Sequence, residues 1–143
     1  MDYNDHIRKS IARDEAKSAE LMAQYEERRS RQKELRAEAE KAFTTIIAAE
    51  LEKICSALNE NGRMAQIKNR NTPGALEKVM LVAGLPDTRF QWLENSDVIH
   101  FLYPSAKSPT SPAKAVVLPL DKISAASVTE AIGRFVIAQY GEE

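Results

Sequence analysis

The sequence predicts an α+β protein. It has a long N-terminal helical arm, then a small antiparallel sheet of three to four strands packed by a central and a C-terminal helix. Three observations carry this reading. Met1 to Asn61 contains neither proline nor glycine and is dense in Glu, Lys, Arg, Ala and Gln, so nothing in it stops a helix. After Gly62, short apolar runs alternate with turn formers, and a second apolar stripe of helical period then closes the chain. A continuous helix through the first run would reach roughly 90 Å at 1.5 Å per residue, more than a small body can cover. Part of it must therefore meet water or another chain.

Residues 1–41 read as the arm. A 3-4 spaced track passes through Ile7, Ile11, Leu21, Tyr25 and Leu35, and these residues are the candidate partner-binding face. The same track crosses Asp14, Ser18, Arg28 and Gln32 and fades at Ala39, so a coiled-coil heptad is only about half filled. The acid-first pairs Asp5–Lys9 and Glu27–Arg31 support a helix by about 0.3 kcal/mol each. Such a segment is marginal alone and needs a partner surface. A partly frayed or disordered tail to about residue 18 is the alternative.

Residues 42–143 read as the α+β domain. Phe43, Ile46, Ile47, Leu51, Ile54 and Leu58 form a broad core-facing stripe, and Asn61-Gly62 ends that helix. Met64–Lys68 reads as a short strand. The segment 72–84 is ambiguous. Thr72, Pro73 and Gly84 suit a capped helix, Val79 and Val82 suit a buried strand, and the helix is narrowly preferred. Thr88–Leu93 and Val98–Tyr103 alternate around Glu94-Asn95-Ser96-Asp97, which predicts a β-hairpin with Phe90 and Trp92 on one face. Residues 104–114 carry three prolines and three serines and read as a loop. Ala115–Leu118 reads as a further strand. Ser127-Val128-Thr129-Glu130 has capping-box spacing, and Val128, Ala131, Ile132, Phe135, Val136 and Tyr140 line one face of a last helix. Gly141 ends it, leaving an acidic tail of Glu142 and Glu143.

Composition bounds the function. The formal net charge is −1, from 20 basic and 21 acidic side chains, without the positive excess of a dedicated DNA-binding domain. Cys55 is the single cysteine, which excludes an intramolecular disulfide and a Cys-based zinc site. No apolar run reaches the ~20 residues that span a bilayer, and the acidic start Met1-Asp2-Tyr3-Asn4-Asp5 is unlike a signal peptide. A cytoplasmic protein is expected.

No catalytic, cofactor-binding or metal-ligating motif is legible. His6 reads as solvated and His100 as outward-facing on its strand, while Cys55 reads as a small hydrophobe beside Ile54. Gly62, Gly74 and Gly84 are isolated and build no phosphate-cradling loop. Pro109-Thr110-Ser111-Pro112 has the form of a minimal proline-rich ligand or phosphorylation target, but such patterns are common, and a connector that could serve as a mobile binding loop is the simpler reading.

The basic residues Arg28, Arg29, Arg31, Lys33 and Arg36, with Arg63, Lys68 and Arg70 further on and Arg89 able to join them, are the candidate nucleic-acid contacts. Interleaved Glu26, Glu27, Glu34, Glu38 and Glu40 offset the first group. Helix, three antiparallel strands, helix is also the element order of double-stranded-RNA-binding domains. Ser124–Thr129 lacks the lysines those domains carry there, and the chain is not assigned to them. The expected function is therefore protein–protein interaction, as an adaptor or chaperone-like assembly factor that self-associates through the arm. A nucleic-acid-associated accessory role is the alternative, and an enzyme without a recognisable motif ranks third.

Overall fold

With no helix breaker before Gly62, the backbone stays helical from Tyr3 to Glu60. The computed structural model describes residues 2–141, so the acidic tail Glu142-Glu143 lies outside the described residues. Helix α1 spans Tyr3–Ala42, a single π-helical turn Phe43–Ile47 follows, and α2 spans Ala48–Glu60. The wider turn falls on Phe43-Thr44-Thr45-Ile46-Ile47, a run rich in β-branched residues. Thr44 Oγ1 donates to the Glu40 carbonyl at 2.9 Å and Thr45 Oγ1 to the Lys41 carbonyl at 2.6 Å. Hydroxyls that compete for main-chain carbonyls in this way loosen the regular ladder. Gly62, at φ 77°, gives α2 its left-handed stop.

The chain divides into two units, residues 1–34 and 35–143. The first is the helical arm. The second is an α+β body. Its strands are β1 Ala65–Asn69, β2 Ala75–Val82, β3 Thr88–Leu93, β4 Val98–Pro104 and β5 Ala113–Pro119. They pair in sequence order as a five-stranded antiparallel meander. Helix α3 then spans Ala125–Tyr140.

The α+β class and the β3–β4 hairpin match the sequence reading, but two elements correct it. The sheet has five strands rather than three to four, because 75–82 is a strand and not the preferred helix. Pairing on both sides settles β2, with Met80 opposite Ile67 on β1 and Thr88 on β3. Pro73-Gly74 turns the β1–β2 hairpin instead of opening a helix, and Gly84 at φ 84° turns the next one instead of capping one. The second correction is the α3 cap. Ser124 accepts from the Ser127 amide and Ser127 Oγ accepts from the Ser124 amide, so the capping box starts three residues before the position expected.

The pleat sends Leu76, Met80 and Val82, then Phe90 and Trp92, then Ile99, Phe101 and Tyr103 to one face. All are buried there in one cluster with Ala39, Phe43, Ile47, Leu51, Val128 and Phe135 from the helices. Phe90 and Phe101 lie 4.4 Å apart by ring centroid, and Phe101 and Tyr103 lie 5.4 Å apart. The Trp92 indole N–H donates to the Ser96 carbonyl at 2.7 Å, which ties the hairpin turn to the core. Leu35 and Ala39, assigned from sequence to the arm, pack with this core instead.

Two buried polar atoms, Thr88 Oγ1 and Gln139 Oε1, have no hydrogen-bond partner among the described residues. An unsatisfied hydroxyl keeps its desolvation cost and returns nothing. Thr88→Val should therefore leave stability unchanged or raise it by up to about 1 kcal/mol in a urea titration. Phe101→Ala should lower it by about 3–5 kcal/mol in the same titration, because it empties the centre of the cluster.

Candidate interaction surfaces

Every described residue from Asp2 to Glu34 is exposed. Among them are the large apolar side chains Tyr3, Ile7, Ile11, Leu21, Met22 and Tyr25, each more than half exposed. At about 100° per residue these six fall within an arc of about 100° on the helix, with Asp14 and Ser18 in its middle. Lys9 and Asp5 form an exposed i,i+4 ion pair at 3.2 Å. The expected Glu27–Arg31 pair is not formed among the described residues. Such weak local support leaves an exposed apolar face as the arm's main unspent resource.

The proposed partner face loses one member to the body. Leu35 is half-buried against the core, while Ile7, Ile11, Leu21 and Tyr25 remain exposed. Tyr3 and Met22 belong to the same arc and were missed by the heptad track, which follows one column of positions rather than the whole sector.

Within the body, the candidate nucleic-acid residues Arg36, Arg63, Lys68 and Arg70 do not share one surface. Arg28, Arg29, Arg31 and Lys33 are exposed on the arm. Arg36 is structural: its Nη1 donates to the Pro73 carbonyl at 2.7 Å, its Nε to Glu40 at 3.0 Å, and its guanidinium stands 6.0 Å from the Trp92 ring centroid. Arg70 and Arg89 both turn to Glu77 on the uncovered face of the sheet, at 4.0 Å and 3.7 Å. Arg70 also pairs with Asp87 at 3.6 Å, and Gln91 donates to Glu77 at 3.2 Å. This network is locally neutral and offers phosphates little net field. Lys68 is exposed on β1, on the sheet face opposite Ile67. Arg63 lies elsewhere, 5.8 Å from the Tyr140 ring, which Lys107 approaches to 5.5 Å. There Arg63 and Tyr140 border a groove of about 430 Å³ between α2 and α3, lined further by Ile54, Ala57, Leu58 and Val136.

His6 is exposed on the arm, and His100 is half-buried on the uncovered sheet face, paired in register with Gln91 and Val117. Cys55 is half-buried, with the Asn59 amide nitrogen at 3.7 Å. Among the described residues no three His, Cys, Asp or Glu side chains come together as a metal site, and no helix is long and apolar enough to cross a membrane. The proline-rich connector is tied across its base by the Ser105 amide to the Pro112 carbonyl at 2.9 Å, and inside by Ser111 Oγ to the Ala106 carbonyl at 3.0 Å.

Glu50 departs from its ordinary acidity. The Lys53 ammonium, 3.1 Å from Glu50, holds that carboxyl below its usual value against the opposing effect of burial. The Thr129 hydroxyl adds to the lowering from α3 at 3.1 Å, sharing its single proton with the Ala125 carbonyl at 2.7 Å. Sequence inspection had no means of finding this α2–α3 link, since its partners are 79 residues apart. Comparison with protein-family models, with characterised proteins and with solved structures returned no match.

A carboxyl whose folded-state acidity is strengthened stabilises the fold above its unfolded pKa and loses that contribution as pH falls through the folded value. Glu50→Gln should therefore flatten the stability loss on acidification below the ordinary carboxylate range of about pH 4–4.5, measured as urea midpoints across pH.

Proposed function

We propose that the chain is a protein-interaction and assembly module, in the manner of an adaptor or chaperone-like factor, that self-associates through its N-terminal helix. One observation carries this reading: the exposed arc of Tyr3, Ile7, Ile11, Leu21, Met22 and Tyr25 on a helical segment with no buried residue of its own. A helix this poor in local support gains most by covering that arc. At about 25 cal/mol per Å², burying most of it is worth several kcal/mol before the costs of ordering and association. The mixed charges beside it would set register and partner choice more than affinity.

The body supports the reading by contrast. Its core is filled from within, and its best-placed cations are committed to internal partners. A nucleic-acid role would rest on Arg28, Arg29, Arg31 and Lys33, and it would show as binding that falls steeply with salt.

Ile11→Asp combined with Leu21→Asp should weaken self-association at least 100-fold by light scattering. Leu35 is left out of this test because it packs on the body's core. Unfolding of the body should keep its urea midpoint in the double variant. An unchanged solution mass would remove the proposal.

A further inference from the structure

The exposed arc is interrupted by Asp14 and Ser18, and the spacing of that interruption is informative. If two copies meet along the track Asn4, Ile7, Ile11, Asp14, Ser18, Leu21, Tyr25 and Arg28, each position must find an acceptable partner. In a parallel, in-register pair, Asp14 meets Asp14 and Arg28 meets Arg28 at seam positions. Like charges facing each other in a partly desolvated seam oppose association.

An antiparallel pair removes both conflicts in one register. Ile7 then faces Tyr25 of the second copy, Ile11 faces its Leu21, Asp14 faces its Ser18, and Asn4 faces its Arg28. The apolar layers pair with apolar layers, and the Asp14 carboxylate accepts from a hydroxyl. Slipping the antiparallel pair by one heptad either way sets Ile11 against Asp14 or Arg28 and leaves no apolar layer intact. We infer, resting on the self-association proposed above, that the arm's partner is a second copy of the chain docked antiparallel in this register, with the two-fold axis beside Ala16.

Two further features agree with this arrangement. The pairing is isologous and closed, so it ends at a dimer. All the apolar seam residues it uses, Ile7, Ile11, Leu21 and Tyr25, are among those left exposed. A parallel pair staggered by two heptads also matches apolar layers and sets Asp14 against Arg28. It is heterologous, leaves part of each seam uncovered, and calls on Leu35, which the body's core already holds. In the antiparallel register Glu15 and Lys17 each meet their own counterpart near the axis. Both are exposed flanking positions, where screening makes a like-charge contact less costly than in the seam.

The test uses the full chain with Cys55→Ser and one spin label at a time, at Ala16→Cys or Ser30→Cys, read by pulsed dipolar spectroscopy. The antiparallel register places the two Ala16 labels at the same level along the pair and separates the two Ser30 labels by about 42 Å along it. Both labels at the same level would show a parallel in-register pair, and a shift of about 21 Å at both would show the staggered one. Either result overturns the inference and leaves self-association standing. No dipolar signal, with a monomeric mass by light scattering, overturns both.

Discussion

The body depends on one contact, the apolar face of the sheet against the helices that cover it. Phe90 of β3 meets Phe101 of β4 across the strands, Phe101 stacks on Tyr103 along β4, and Ile47, Leu51, Val128 and Phe135 close over them in the same cluster. Nothing else in the body has comparable weight. Its ion pairs are mostly exposed, and such pairs contribute little individually. The polar links that do matter are those that position the layers: Trp92 to the hairpin turn, Glu50 to Thr129 between α2 and α3, and Gln139 to the Pro104 carbonyl at 2.8 Å between α3 and β4.

Covering one sheet face has a consequence for the other. Val79 is fully buried on the opposite face, beside Glu77, Arg89 and Gln91. Glu77 pairs with Arg89 and accepts from Gln91, so charged groups that sequence offers for ligands are engaged with one another on this sheet face. Arg36 is consumed in the same way at Pro73 and Trp92. The arm is the opposite case. Its apolar residues have found no use within their own helix, and the proposed function follows from that difference.

Much of this was legible in the chain. The proline- and glycine-free run, the stripe from Phe43 to Leu58, the β3–β4 hairpin and the C-terminal helix all rest on period and punctuation, which are local properties. The misread segment 72–84 shows where local reasoning loses. Thr72-Pro73 and Gly84 carry helix signals, but β1 and β3 supply main-chain partners on both sides of β2. Six paired neighbours toward β3 outweigh a capping preference of about 1 kcal/mol. The heptad track likewise found Ile7, Ile11, Leu21 and Tyr25 but missed Tyr3 and Met22, because an exposed face is a sector and not a column.

The sequence by itself determined the class of the fold, the long helix and the residues of the arm's apolar track, because each depends on spacing within one element. Only the tertiary structure decided the number of strands, the commitment of Leu35 to the core and the neutralisation of Arg70 and Arg89 by Glu77 and Asp87. Each of those outcomes needs residues far apart in the chain to meet, and the free energy of such meetings is not written in any local pattern.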